Sequence, residues 1–134
     1  MSLLLEIIRD KLEADAVVNG STWKCFLGFL PDDQDQCISL HLTGGFPQET
    51  LGNENVAQTF QVLVRAGDRE HVICEAKWWE MFNSLQDADF TASPVNDATI
   101  YLCQALASGP MTFADEKQRI NMTANFRIIR ERPV

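Results

Sequence analysis

Cys37-Ile-Ser-Leu-His-Leu-Thr43 and Val56-Ala-Gln-Thr-Phe-Gln-Val-Leu-Val-Arg-Ala66 are two alternating stretches that flank Gly44-Gly45-Phe46-Pro47 and a polar, acidic run to Asn55. In the first, Ile38, Leu40 and Leu42 point one way and Cys37, Ser39, His41 and Thr43 the other, as a side-chain period of two requires. In the second, Val56, Phe60, Val62, Val64 and Ala66 share a face that Gln58 interrupts, while Thr59, Gln61 and Arg65 lie opposite with Leu63. Such alternation predicts antiparallel strands with one packed face and one polar face. Residues 44–55 then form a loop of about a dozen residues, a length that in compact domains usually accompanies function or mobility. Gly44-Gly45 is not a phosphate loop, because no Gly-Lys-Ser/Thr follows and the context is strand–loop–strand.

Residues 119–130 repeat the pattern, with Ile120, Met122, Ala124, Phe126 and Ile128 inward and Arg119, Asn121, Thr123, Asn125 and Arg127 outward. Trp23 to Leu30 reads as an aromatic strand, and Pro31-Asp-Asp-Gln-Asp35 as a turn. Thr99 to Ala107 reads as a strand with Ile100, Leu102 and Leu106 on one side, broken by Ser108-Gly-Pro110, and Asp115 to Gln118 is a turn. Residues 3–17 carry Leu4, Leu5, Ile8 and Leu12 at helical spacing and stop at Asn19-Gly20. A second helix starts from Asp68 as N-cap and runs to about Leu85. The fold class is therefore α+β: a mostly antiparallel sheet of about five strands with two helices packed on one face, in a single domain spanning 1–134.

The second helix is apolar over too much of its circumference. Val72, Cys74, Ala76, Trp78, Trp79, Met81, Phe82 and Leu85 cover far more than the stripe of about 100° that a sheet can cover. The surplus must meet the first helix or another subunit, and Trp78 or Trp79 suits a subunit contact.

The chain has 134 residues, 46% of them hydrophobic, and a formal net charge of −8, which excludes disorder and a general basic nucleic-acid binder. The charge is uneven. After position 116, five cations face one anion for a net +4, whereas residues 1–116 hold six cations against eighteen anions for a net −12. A basic last strand on an acidic body suits contact between unlike faces of neighbouring copies. A charge-protected edge strand is the plainer reading. Leu3-Leu-Leu5 is interrupted by Glu6 and lacks a basic lead, so no secretory signal and no membrane partner are expected. Cys25, Cys37, Cys74 and Cys103 form no Cys-x-x-Cys pair, so four reduced thiols and no structural metal are expected. Without export, the glycosylation patterns at Asn19 and Asn121 carry no meaning.

No catalytic constellation stands out, and no catalytic residue, cofactor or metal ligand is assigned. His41 shares a strand face with Ser39 and Cys37, but residues two apart on a strand have roughly parallel side chains about 7 Å apart, and no third group orients them. His71 and Glu75 are a one-turn helix pair. Asp32, Asp33 and Asp35 lack the Gly and terminal Glu of a calcium loop and read as a turn.

Phe29-Leu-Pro-Asp32, Cys37-Ile-Ser-Leu40, Gly44-Gly45-x-Pro47 and Phe60-Gln-Val-Leu-Val-Arg-Ala66 resemble the minor capsid, or tail terminator, proteins of long-tailed bacteriophages. Pro110, Asp115, Arg119 and Asn125-Phe-Arg127 resemble that family's last loop and strand, although Met111 to Gln118 departs from its usual aromatic, glycine-containing turn. The resemblance covers nearly the whole chain. It implies a non-enzymatic virion protein, a homo-oligomer in a hexameric ring that caps the tail tube protein, stops polymerisation and presents a surface to the head–tail connector protein. It places the protein in the host cytoplasm during assembly and in the virion neck afterwards. DNA passes through the lumen without specific binding, and acidic side chains there are the expectation. Subunit contacts are expected at Gly44, Gly45, Phe46, Pro47, Trp78, Trp79, Arg119, Arg127 and Arg130. The rival readings are a neck or head-completion protein, a small cytosolic enzyme and a monomeric adaptor.

Overall fold

A computed structural model describes residues 3–46, 55–88, 90 and 100–132. The elements are α1 (Leu4–Ala14), β1 (Lys24–Leu27), β2 (Cys37–Phe46), β3 (Asn55–Asp68), α2 (His71–Leu85), β4 (Ile100–Ala105), β5 (Met111–Ala114) and β6 (Arg119–Glu131). Among the described residues the strands form one six-stranded sheet in the order β1-β2-β3-β6-β4, and β5 also pairs with β6. Every pairing is antiparallel except β1 with β2. Both helices lie on one side, so the α+β class read from the alternation holds.

The core forms between that side and the helices. Ile38, Leu40, Phe60, Val62, Val64, Met122, Ala124, Phe126 and Ile128 meet Ile7, Ile8 and Leu12 of α1 and Cys74, Trp78, Met81 and Leu85 of α2. Phe60 and Phe126 stack at 5.3 Å between centroids, on neighbouring strands in direct register. Polar bonds then lock the helices together. The Lys77 ammonium donates to the Val17 carbonyl at 3.1 Å, and Ser84 donates to the Asp15 carboxylate at 2.6 Å.

Several boundaries differ from the reading. α1 ends at Ala14 rather than residue 17, because Ala16 takes a left-handed conformation (φ 58°) and the Val17 N–H turns back to the Leu12 carbonyl. Asn19 instead organises the entry to β1, accepting from the N–H groups of Ser21 and Trp23. α2 starts at His71, not after Asp68, because β3 continues through Gly67 to Asp68 and pairs there with Arg119. β4 shows Cys103, not Leu102 or Leu106, to the core. A register slip at Tyr101 shifts the faces, leaving Ile100, Cys103 and Ala105 against the core.

β5 is a strand where the sequence suggested only a loop. β4 lies along Arg130 to Phe126 and β5 along Thr123 to Ile120, so both run down the same edge of β6. β4 ends at Ala105, before Ser108-Gly-Pro110, and β5 resumes the same edge at Met111. Met111 and Phe113 register with Thr123 and Asn121, which puts them on the side of the sheet away from the helices.

Candidate assembly surface

The glycine pair lies in β2, which runs to Phe46, three residues beyond the predicted strand end. The register slips between Leu42 and Gly44, and Gly44 adopts φ +100°, a region that L side chains rarely enter. Gly45 then pairs with Gln58, where a Cβ would collide with the backbone carbonyl of Ala57. Two glycines in succession thus let the bulged ribbon continue to Phe46, which pairs with Ala57. Residues 47–54 of the expected loop fall outside the described residues, and Asn55 already belongs to β3.

The adjacent tryptophans have opposite fates. Trp78 is fully buried, stacks on Phe82 at 5.1 Å, and donates its ring N–H to the Thr123 carbonyl at 3.1 Å. Its surface is used inside the chain and none is left for a neighbour. Trp79 is 37% exposed, stands edge-on to Trp78 at 4.7 Å, and donates to the Glu75 carboxylate at 3.3 Å. Val72, Ala76 and Trp79 follow helical spacing on the outer face of α2, with exposed Ile73 beside them. This is the apolar surplus of the second helix, and neither α1 nor the sheet covers it. Val72, Glu75, Ala76 and Trp79 wall a shallow hollow. The sequence reading included Val72 and Ala76 in the apolar sweep but had no means of separating the covered half from the bare half.

The arginines also turn inward. Arg119 is buried and its guanidinium reaches Asp115 at 2.8 Å, the Asp32 carbonyl at 2.7 Å and the Asp32 carboxylate at 3.3 Å, with Asp35 at 3.6 Å. Lys117 adds an ion pair to Asp32 at 3.0 Å. The acidic turn is thus the partner of the basic strand's start, within one chain. Lys117 and Arg119 hold the Asp32 carboxyl below its usual range. Desolvation opposes ionisation of Asp115, but the Arg119 backbone N–H and guanidinium outweigh it and lower its pKa. Arg130 is also buried. It shares the apolar face of β6 two residues past Ile128 and borders an apolar cavity of about 290 Å³ lined by Leu3, Leu4, Leu27 and Leu42. Arg127 is half-buried and donates to Gln104 at 2.8 Å. Of the expected contact residues among those described, Trp78, Arg119 and Arg130 are buried within the chain.

The polar face is half covered. The nine residues linking the parallel strands β1 and β2 cross over it, and Arg65, on β3, holds them by the carbonyls of Pro31, Gln34 and Asp35. Beneath lie Cys37, Ser39 and Asn121, all buried although the alternation placed them outward. His41 and Ser39 do meet, at 2.9 Å between Nε2 and Oγ, closer than strand spacing suggested. Ser39 is fully buried, so its hydroxyl presents nothing to a substrate. Burial pushes the thiols of Cys25, Cys74 and Cys103 up to about 12, the opposite of an activated nucleophile.

A surface built of apolar hollows and internally spent charges suits protein contacts. A profile of the family described as "Bacteriophage tail terminator protein" matches residues 8–132. The chain belongs to that family. The membership makes it a structural protein of the phage type, associated with the tail of a virion. The fold is shared with a chain of the virion of a native gene transfer agent particle, at a TM-score of 0.72 and 16% identity over 96% of this chain and 95% of that one. No curated protein matches the terminator-family chain. Its residues 8–132 include every element but the first turn of α1, so the family resemblance read from short motifs extends over the described fold.

Proposed function

We propose that this chain assembles into a ring, hexameric by family resemblance, that caps the tail tube, stops its polymerisation and offers the joining surface for the head connector. The observation that carries the reading is the bare apolar stripe of Val72, Ile73, Ala76 and Trp79 on a helix whose other side is already packed. A family of tail terminators gives that stripe a use. Assembly takes place in the host cytoplasm, and the finished ring sits in the neck of the virion. DNA passes a lumen in which acidic side chains predominate, consistent with the net charge of −8 and like-charge repulsion of phosphate. Gly44, Gly45, Phe46 and Pro47 contact a neighbouring ring or subunit, with Trp79 and Arg127 at lateral contacts.

Negative-stain microscopy and light scattering of the chain, alone and with growing tail tubes, test the reading. Six-membered rings on tube ends and arrested tube length are the expected result. Tubes that grow on unchanged, with the chain remaining monomeric, overturn it. A ring whose lumen is basic overturns the acidic-lumen part alone, and normal capping by a chain lacking most of residues 44–55 overturns the role of that segment.

A further inference from the structure

The monomer carries two unlike apolar patches on opposite faces. On the helix side is the hollow of Val72, Glu75, Ala76 and Trp79, where Val72 is 82% exposed. On the other side is the ridge of β5, where Met111 is 73% and Phe113 47% exposed. We infer that the β5 ridge of one copy seats in the α2 hollow of the next, with Met111 entering the space above Ala76. The inference rests on the ring reading and names its lateral contact.

Four features select a second copy in this orientation. Ala76 is the small floor of the hollow, and Val72 and Trp79 are its larger walls, so the site accepts a protruding side chain. Trp79 is held by the ring contacts to Trp78 and Phe82 and by its bond to Glu75, so one wall is already rigid before contact. Methionine, flexible and polarisable, fits such a gap and favours aromatic edges. The sequence Met111-Thr-Phe-Ala114 carries no charge, whereas Glu75 lines the hollow. Hollow against hollow would bring acids onto acids; ridge into hollow does not.

The geometry also fixes the type of symmetry. A patch that meets a different patch on the opposite face of the next copy is a heterologous contact, which closes into a ring or runs on as a filament. Each patch is only a few side chains wide, well below the ~800 Å² per partner of a standard stable complex. A pair of copies is therefore weak, and closure, which gives every copy two such contacts, is what holds the assembly.

Cross-linking in a Cys25→Ser background tests this, with a short bismaleimide and tail tubes present. Copies carrying Ala76→Cys are mixed with copies carrying Met111→Cys. The expected result is a mixed dimer at least five-fold above either variant alone, and a ladder up to the full ring for a copy carrying both changes. Both positions are exposed, and a melting temperature within about 3 °C of the parent confirms folding. Visible rings without preferential mixed cross-linking overturn this contact while leaving the ring reading intact. Strong linking of Ala76→Cys to itself overturns it in favour of a two-fold contact. Tubes that stay uncapped and without rings in the presence of the parent chain overturn both.

Discussion

Replacing Arg65 with methionine keeps most of the apolar stem and removes the guanidinium that grips the β1–β2 crossover. Arg65 is 2% exposed, and its donors reach the carbonyls of Pro31, Gln34 and, at 3.4 Å, Asp35. A hydrogen bond to a charged group contributes about 1.5–3 kcal/mol net. The three share one donor group and the loop can partly rehydrate, so the combined loss is about 3 kcal/mol rather than the sum. For a chain of this size, a loss of that order lowers the melting temperature by roughly 9–15 °C. Calorimetry at neutral pH measures it, with Asp33→Asn, an exposed change on the same loop, as the comparison. Arg119→Met removes a second grip on Asp32 of that loop, so the double variant should lose about 0.5–1 kcal/mol less than the two single losses combined. If Arg65→Met melts within about 3 °C of the parent, or alongside Asp33→Asn, packing rather than these bonds holds the crossover.

Three other outcomes follow from the same geometry. Gly45→Ala forces a Cβ onto the Ala57 carbonyl, so urea denaturation should show a loss of about 2 kcal/mol or more, and an unchanged midpoint contradicts the bulge. Asp15, Asp32 and Asp115 all have pKa values lowered by folding, so the stability they contribute is present above the unfolded carboxylate value of about 3.8 and disappears as pH falls through the lower folded values. Urea midpoints should hold steady down to about pH 5 and drop below about pH 4, and a midpoint that rises on acidification refutes the pairing. Cys25, Cys74 and Cys103, pushed up to about 12, and buried Cys37 should resist a thiol reagent at pH 8 until denaturant is added; fast native labelling of two or more argues against the burial.

The core was legible because β3 and β6 are long and repeat a period of two, and their apolar residues fall on one face over many paired positions. β5 was not, since four residues between Pro110 and an acidic turn contain too few periods to distinguish a strand from a loop. Nor was the parallel pairing of β1. A nine-residue crossover without a helix is shorter than such links usually are, and what makes it possible is Arg65 and Arg119, far along the chain from Pro31 and Asp32. Trp78 and Trp79 differ by one helical step, and only the position of β6, whose Thr123 carbonyl receives Trp78, decides which is buried. Local charge counting found the basic end of the chain but not its proximity to the acidic turn.

That proximity changes how charge acts in assembly. The start of β6 looked like a basic surface awaiting an acidic neighbour, yet Lys117 and Arg119 are already met by Asp32, Asp35 and Asp115 of the same chain. What remains to face other copies is the excess of the net −8. Copies so charged repel one another, and the contact proposed between β5 and α2 is apolar. Salt should therefore promote ring formation. Raising ionic strength from about 0.05 to 0.5 M shortens the screening length from over 10 Å to a few ångströms and weakens that repulsion, while hydrophobic contacts are left intact. Sedimentation at constant protein concentration reads the effect. If assembly falls as salt rises, ion pairs between subunits dominate, and the internal pairing of Arg119 and Lys117 must open when the ring forms.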